Sequence, residues 1–339
     1  MRNSIVGLFK KDVPFYLLVV IVAGTLTLAY FGHSLLESKH SHLQAVSPSC
    51  PSSMQQLRID DEKMVHQLIL SDIAEESGSL APIKTAVQQY INEVKSGQKA
   101  AEVSVYFRKL SDGSWFSINA NQVYNPASMI KVAYLIAYLK DAEDHPELLS
   151  KNYLLAGNSP VSQQNILEKK LKPGKEYSVR VLLYQMIAHS DNDATAILAE
   201  HINQNTFQQV FRELNIPQPD NSKEYFINPV DMGKFFRVLY NGTYLNNQSS
   251  EFALQLLSQS DFNQGIVAGL DRPMVVAHKF GERILGNTAQ LHEYGIVYLD
   301  GQPYLLGVMS SGSNLKDLSE VIATISQRAY LNYRSTFGV

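Results

Sequence analysis

The longest apolar stretch lies close to the start of the chain. Residues 13–36 contain no Asp, Glu, Lys or Arg, and their most apolar part, FYLLVVIVAGTLTLAYF (15–31), carries few polar side chains. About 20 helical residues, each rising about 1.5 Å, cross the hydrocarbon core of a bilayer, so the pattern predicts a transmembrane helix over 13–36. Arg2, Lys10 and Lys11 precede it. By the positive-inside rule, residues 1–12 are then a cytoplasmic tail and the bulk of the chain is outside. A cleaved signal peptide is the alternative. Its apolar region is usually about 7–15 residues and ends in small residues, whereas this run is longer and no A-x-A follows it. The expectation is a single-pass protein of the cell membrane with an extracytoplasmic domain.

Beyond the span, 37–80 reads as a stalk or linker. Ser, His, Pro and Gln fill 38–60 with little apolar period, and a short amphipathic helix is expected around 62–73. The folded domain is placed at 81–339. PIKTAVQQYINEVKSG (82–97) has an early proline, helical apolar spacing and a glycine stop. AEVSVYFRKL and SWFSIN alternate around Asp112-Gly113, a β-hairpin pattern. Helical periodicity then runs from about 128 to 260. Strands return in MVVAHKF (274–280) and in the two apolar runs around Asp300-Gly301 (294–311), and LKDLSEVIATISQRAYLNY (315–333) is a final amphipathic helix. This order predicts an α/β domain: an antiparallel sheet built from both ends and flanked by helices, with an all-helical subdomain inserted.

Composition narrows the function. Of 339 residues, 45% are hydrophobic and 18% charged, which suits a packed core. The net charge of −3 and the scattered Lys and Arg give nucleic-acid binding no support. The single cysteine, Cys50, excludes an internal disulfide and a CxxC site. No P-loop occurs, and no GxGxxG opens a helix. His189 and His278 lack metal-ligand spacing and read as packing or loop residues. No metal and no organic cofactor is expected.

The candidate chemistry starts at NPASMIKVAYLIAYLK (125–140). S-x-x-K occurs at Ser96, Ser128 and Ser313, but only Ser128 opens a long helix, one apolar all round except for Lys131. Positions i and i+3 share a helix face, so the Lys131 amine could reach the Ser128 hydroxyl. Burial lowers a lysine pKa, and a neutral amine beside a serine is a general base. The alternative is a Ser128 helix cap with Lys131 snorkelling outward. Two further stretches bear on the choice: HSDNDA, with Ser190, Asp191 and Asn192, and VVAHKFGER, with Lys279 and Gly281.

S-x-x-K, S-D-N and K-x-G in this order resemble the class A β-lactamases and the penicillin-binding proteins. The resemblance extends over about 82–333, through DNDATAILAEHI, NPVDMGKFFRVLY and the closing hairpin and helix. It implies Ser128 as the acylated nucleophile, Lys131 as its activator, Ser190 as a proton relay to the leaving nitrogen and Lys279 as support for that relay and as an attraction for an anionic substrate. It implies Asn192 on the substrate amide, an oxyanion hole from the N–H groups of Ser128 and Glu282, and a bracing role for Asp191. The substrate would be a small β-lactam or a cell-wall peptide, and a peptidase, an esterase or a slow lactam trap is the alternative. Phe280 departs from the family, which has Thr or Ser between Lys279 and Gly281 to help hold the substrate carboxylate. The deacylating glutamate is also uncertain. Glu224 and Asn228 reproduce an E-x-x-x-N spacing, but on a stretch that ends at once in Pro229. Glu224 is either the base on a shortened loop or a solvated carboxylate.

Overall fold

The computed structural model describes residues 75–157, 166, 171–220 and 222–339. The transmembrane helix expected over 13–36 and most of the stalk lie outside them. Among the described residues no helix is long and apolar enough to cross a membrane.

Helix α1 (Ala81–Ser96) starts with Pro82 in its first turn and stops at Gly97. It buries Ile83, Val87, Ile91 and Val94, a single 3.6-residue stripe. Strands β1 (Glu102–Lys109) and β2 (Trp115–Ile118) form the expected hairpin. Helix α2 (Lys131–Asp144) follows a 3-10 turn at Ala127–Ile130. Next come strands β3 (Asn152–Leu155) and β4 (Lys175–Ser178) and helices α3 (Val179–Ala188), α4 (Asn192–His201), α5 (Gln204–Glu213), α6 (Pro229–Asn241) and α7 (Asn247–Leu257). Strands β5 (Val276–Leu285), β6 (Thr288–Val297) and β7 (Tyr304–Gly312) and helix α8 (Leu315–Phe337) complete the domain.

The five strands β2-β1-β7-β6-β5 make one antiparallel sheet, closed by pairing of the first hairpin with the last strand. Both faces are covered. Along β1, Val103, Val105 and Phe107 enter the core shared with α1 and α8, while Tyr106 enters the core of the helical part. That split follows from the two-residue period of a strand. Gly233 of α6 lies so close to the Tyr106 ring that a Cβ there would be 2.6 Å from it. Edge strand β5 is the one that meets the 3-10 turn ahead of α2.

Two expectations are corrected. The inserted subdomain is not all helical, since β3 and β4 pair as a separate two-stranded hairpin. Both strands are short and largely exposed, so they carry no alternation to read. Strand β5 does not end at residue 280 but runs to Leu285 and turns at Gly286, whose φ is +57°. The glycine and charges of GERIL hid its second half.

Candidate active site

Ser128 lies inside the 3-10 turn, not at a helix cap: the turn begins after Pro126, α2 begins after Ile130, and neither cap position contributes a side-chain hydrogen bond. Ala127, just before it, has φ of +47°, a left-handed conformation uncommon for a residue with a Cβ. The turn is held from both sides. Asn125 Oδ1 accepts from the Ala127 N–H (2.9 Å), and the Asn125 carbonyl accepts from His292 Nε2 (3.0 Å). His292 Nδ1 in turn accepts from the Ser310 N–H (3.2 Å), which fixes the neutral tautomer. Burial pushes the His292 pKa down to about 4, so the brace carries no charge at neutral pH. Ser128 itself is half-buried.

Lys131 is buried and does not snorkel. Its amine donates to the Ser190 carbonyl (2.6 Å), Asn192 Oδ1 (2.7 Å) and Ser190 Oγ (3.3 Å). The first two motifs thus meet at this amine, one helical turn from Ser128. Desolvation lowers its pKa to about 7, against the opposing fields of Asp191 and Glu282. The local chain explains the meeting. Ser190 has φ of +54°, and Asp191 caps α4 by accepting from the Ala194 N–H (2.8 Å), so the bracing role expected of Asp191 has its contact. Asn192, expected on a substrate amide, here holds the lysine.

Lys279 reaches the same hydroxyl. Its Nζ donates to Ser190 Oγ (2.9 Å) and to the Phe280 carbonyl (2.8 Å). Burial first, and then the neighbouring Lys131, hold its pKa well below that of a free lysine; Glu282 and Glu293 oppose them. Gly281 faces the Ser128 turn so closely that a Cβ would lie 2.7 Å from the Pro126 carbonyl and 3.0 Å from the Ser128 nitrogen. The absence of a side chain therefore lets the β5 backbone, including Glu282, lie against Ser128. The Glu282 side chain is half-buried, and its Oε1 accepts from the Ile166 N–H (3.2 Å).

Phe280, expected at the substrate-binding edge, is a correction. Its ring is 1% exposed and stacks on Phe262 with centroids 4.3 Å apart. An aromatic ring gains by burial in the core shared with α1 and α8, so this side chain offers a substrate no surface. Glu224 stands at the rim, exposed, with Oε1 paired to Arg283 and accepting from Asn125 Nδ2 (3.0 Å). The Arg283 hydrogen bond holds its carboxyl below the usual range. Asn228 does not partner it, because it caps α6 and donates to Asp231 (2.7 Å).

His189 bonds Asp261 (2.6 Å) and His278 bonds the fully buried Glu293 (2.7 Å); both are loop and core contacts. Sequence reasoning missed Asn125, His292 and Glu293. Their signal was present, in polar residues inside the apolar stretches NPASMI and HEYGIV.

The fold has known counterparts. The model of the beta-lactamase enzyme family matches residues 85–333, most of the chain. The chain belongs to the beta-lactamase enzyme family. Beta-lactamase OXY-1 of Klebsiella oxytoca is a distant relative of this family member, 25% identical over 226 residues that make up 62% of this chain and 77% of the relative. TLA-1 extended-spectrum beta-lactamase shares the fold at a TM-score of 0.66 and 17% identity, over 75% of this chain and 99% of that one. A class A beta-lactamase from Bacteroides cellulosilyticus does so at 0.65 and 19%, over 75% and 99%. A PBP-A variant, solved as its acyl-enzyme complex with penicillin G, does so at 0.62 and 23%, over 74% and 97%. The chain is therefore a beta-lactamase-family enzyme, and it shares its fold with class A beta-lactamases and PBP-A.

Proposed function

We propose that this enzyme cleaves a β-lactam or a related amide or ester through an acyl-enzyme on Ser128, outside the cell, held to the membrane by residues 13–36. The observation that carries the reading is the convergence of Lys131 and Lys279 on Ser190 Oγ, at 3.3 and 2.9 Å, beside the Ser128 turn. Neutral Lys131 takes the Ser128 hydroxyl proton as Oγ attacks the carbonyl carbon. The N–H groups of Ser128 and Glu282 receive the oxyanion. As the tetrahedral intermediate collapses, Ser190 gives its proton to the leaving atom, and the two lysines return one to Ser190. Water then hydrolyses the ester.

One observation favours slow release. Glu224 is exposed and engaged by Arg283 and Asn125, whereas a base for the hydrolytic water needs a free carboxylate at the ester. The acyl-enzyme is then long-lived, as in penicillin-binding proteins, and the acyl donor is a cell-wall peptide or another acyl compound. The test is intact-mass analysis of the full-length chain in detergent after exposure to a fluorescent penicillin, a chromogenic cephalosporin and a neutral activated ester. An adduct that is absent from Ser128→Ala supports the reading; no adduct with any donor overturns it.

A further inference from the structure

The turn that carries Ser128 is held by bonds of two kinds. Within it, the Met129 N–H donates to the Pro126 carbonyl (2.9 Å) and the Ala127 N–H to Asn125 Oδ1 (2.9 Å). These fix its shape but not its place. Upstream, Tyr124 and Ile227 exchange both backbone hydrogen bonds, at 3.0 and 2.9 Å. Between that anchor and α2, His292 ties the turn to the sheet. Its Nε2–H donates to the Asn125 carbonyl (3.0 Å), and its Nδ1 accepts from the Ser310 N–H of β7 (3.2 Å). The ring is fully buried and meets that of Tyr124 edge-on, with centroids 5.3 Å apart. Only the neutral ring makes both bonds, because a protonated Nδ1 would face the Ser310 N–H. Burial favours that form, with the pKa lowered to about 4.

We propose that His292 is a positioning residue for the nucleophile: through the Asn125 carbonyl it holds the turn in the conformation that aims the Ser128 N–H at the oxyanion and keeps Ser128 beside Lys131. The inference rests on the acyl-enzyme reading, whose nucleophile it serves. The sheet register supports it. His292 of β6 lies directly opposite Gly281 of β5, and directly opposed residues share a face. Gly281 leaves the room that lets the turn approach, since a Cβ there would be 2.7 Å from the Pro126 carbonyl. His292, beside it, supplies the directed bond. What that bond holds is a strained residue. Ala127 has φ of +47°, which a side chain with a Cβ adopts only where its surroundings enforce it. The direction of the Ser128 N–H follows from the backbone angles of Ala127. With the Asn125 carbonyl released, Ala127 relaxes toward negative φ and that N–H turns away from the oxyanion. His292 has no exposed surface, so it acts on the reaction through Asn125 and not by touching substrate.

Two carboxamides separate the two bonds of the imidazole. Glutamine carries its amide nitrogen near the Nε2 position and keeps the donor to Asn125. Asparagine carries its oxygen near the Nδ1 position, keeps the Ser310 contact and falls short of Asn125. Acylation of the full-length enzyme in detergent by a phenyl ester, followed by intact mass over a range of concentrations, gives the saturated rate and the half-saturating concentration. His292→Gln should stay within about threefold of the wild-type saturated rate, whereas His292→Asn should lose about tenfold or more, the scale of misplaced reacting groups. The half-saturating concentration should not change in either. Ala127→Gly added to His292→Asn should recover part of the loss, because glycine takes a positive φ without enforcement. A folded His292→Asn no slower than His292→Gln overturns the proposal, as does a loss confined to the half-saturating concentration. The wild type tests it without a successful variant: NMR of the histidine-labelled enzyme should place the His292 proton on Nε2, and a proton on Nδ1 overturns the proposal. No adduct on a folded wild type overturns the acyl-enzyme reading and this inference with it; normal wild-type acylation beside an equally fast His292→Asn overturns this inference alone.

Discussion

Lys131 and Lys279 bring two amines to one hydroxyl, at 3.3 and 2.9 Å from Ser190 Oγ. They come from opposite sides, one from the first turn of a buried helix and the other from the edge strand of the sheet. Two ammonium ions cannot share so small a space at low cost. Each is desolvated, and proximity to Lys131 further lowers the pKa of Lys279. The cluster is built to hold fewer protons than its two lysines would carry in water.

The first expected outcome follows from that deficit. The lysine pKa is lowered to about 7, so the base form of Lys131 is present above that pH and lost below it. Acylation of Ser128 should rise through about pH 7 and fall about tenfold per pH unit on the acid side. Glu282 raises the Lys131 pKa, so Glu282→Gln should move the limb to lower pH. Stopped-flow or quenched acylation rates between pH 5 and 9 check both points; a flat profile, or a shift upward, contradicts them.

Gly281 is the contact through which β5 meets the nucleophile turn. A methyl group there meets backbone atoms, with 2.7 Å to the Pro126 carbonyl and 2.9 Å to the Met129 nitrogen, so strand and turn must part. Gly281→Ala should slow acylation by about a hundredfold or more, the scale of a lost oxyanion donor, with an unchanged far-UV circular dichroism spectrum. Wild-type acylation by a folded Gly281→Ala would show that the Glu282 N–H is not needed.

Restoring the family residue at position 280 should not restore a carboxylate site. The Phe280 ring fills core space against Phe262, and Phe280→Thr leaves a cavity and a buried hydroxyl. Its expected cost is about 3–5 kcal/mol of stability, read from urea unfolding. A loss below about 1 kcal/mol would mean that the ring is not packed as described.

Glu224→Gln keeps the Asn125 contact and removes the charge paired with Arg283. A lost general base lengthens an acyl-enzyme lifetime by about a hundredfold or more. Here the lifetime should stay within about twofold of wild type, followed as decay of the mass adduct. A hundredfold increase would make Glu224 the deacylating base after all.

Much of this was legible in the residues. The β1–β2 hairpin, α1 and α8 follow directly from alternation or helical spacing with their stops. Ser128 and Lys131 stood out because a lysine at the start of an apolar helix needs a reason; Ser190 and Lys279 were singled out by the resemblance of S-D-N and K-x-G to the class A β-lactamases. Other features left no local mark. That Lys131 bonds Ser190 and Asn192, 59 and 61 positions away, is a product of tertiary packing. The same holds for the Phe280 ring. A strand period says that residues 280 and 282 share a face, but not that one of them turns into the core. The β3–β4 hairpin escaped because exposed four-residue strands have no buried face to pattern.

Intact-mass measurement of Ser128 acylation tests the central claim most directly. The full-length enzyme, in detergent near pH 8, is incubated with a neutral phenyl ester and digested to locate the adduct. The account expects one acyl group per chain, on the peptide containing Ser128, and none on Ser128→Ala or Lys131→Ala. The same adduct on Ser128→Ala, or no adduct from any acyl donor on a folded wild type, would contradict it.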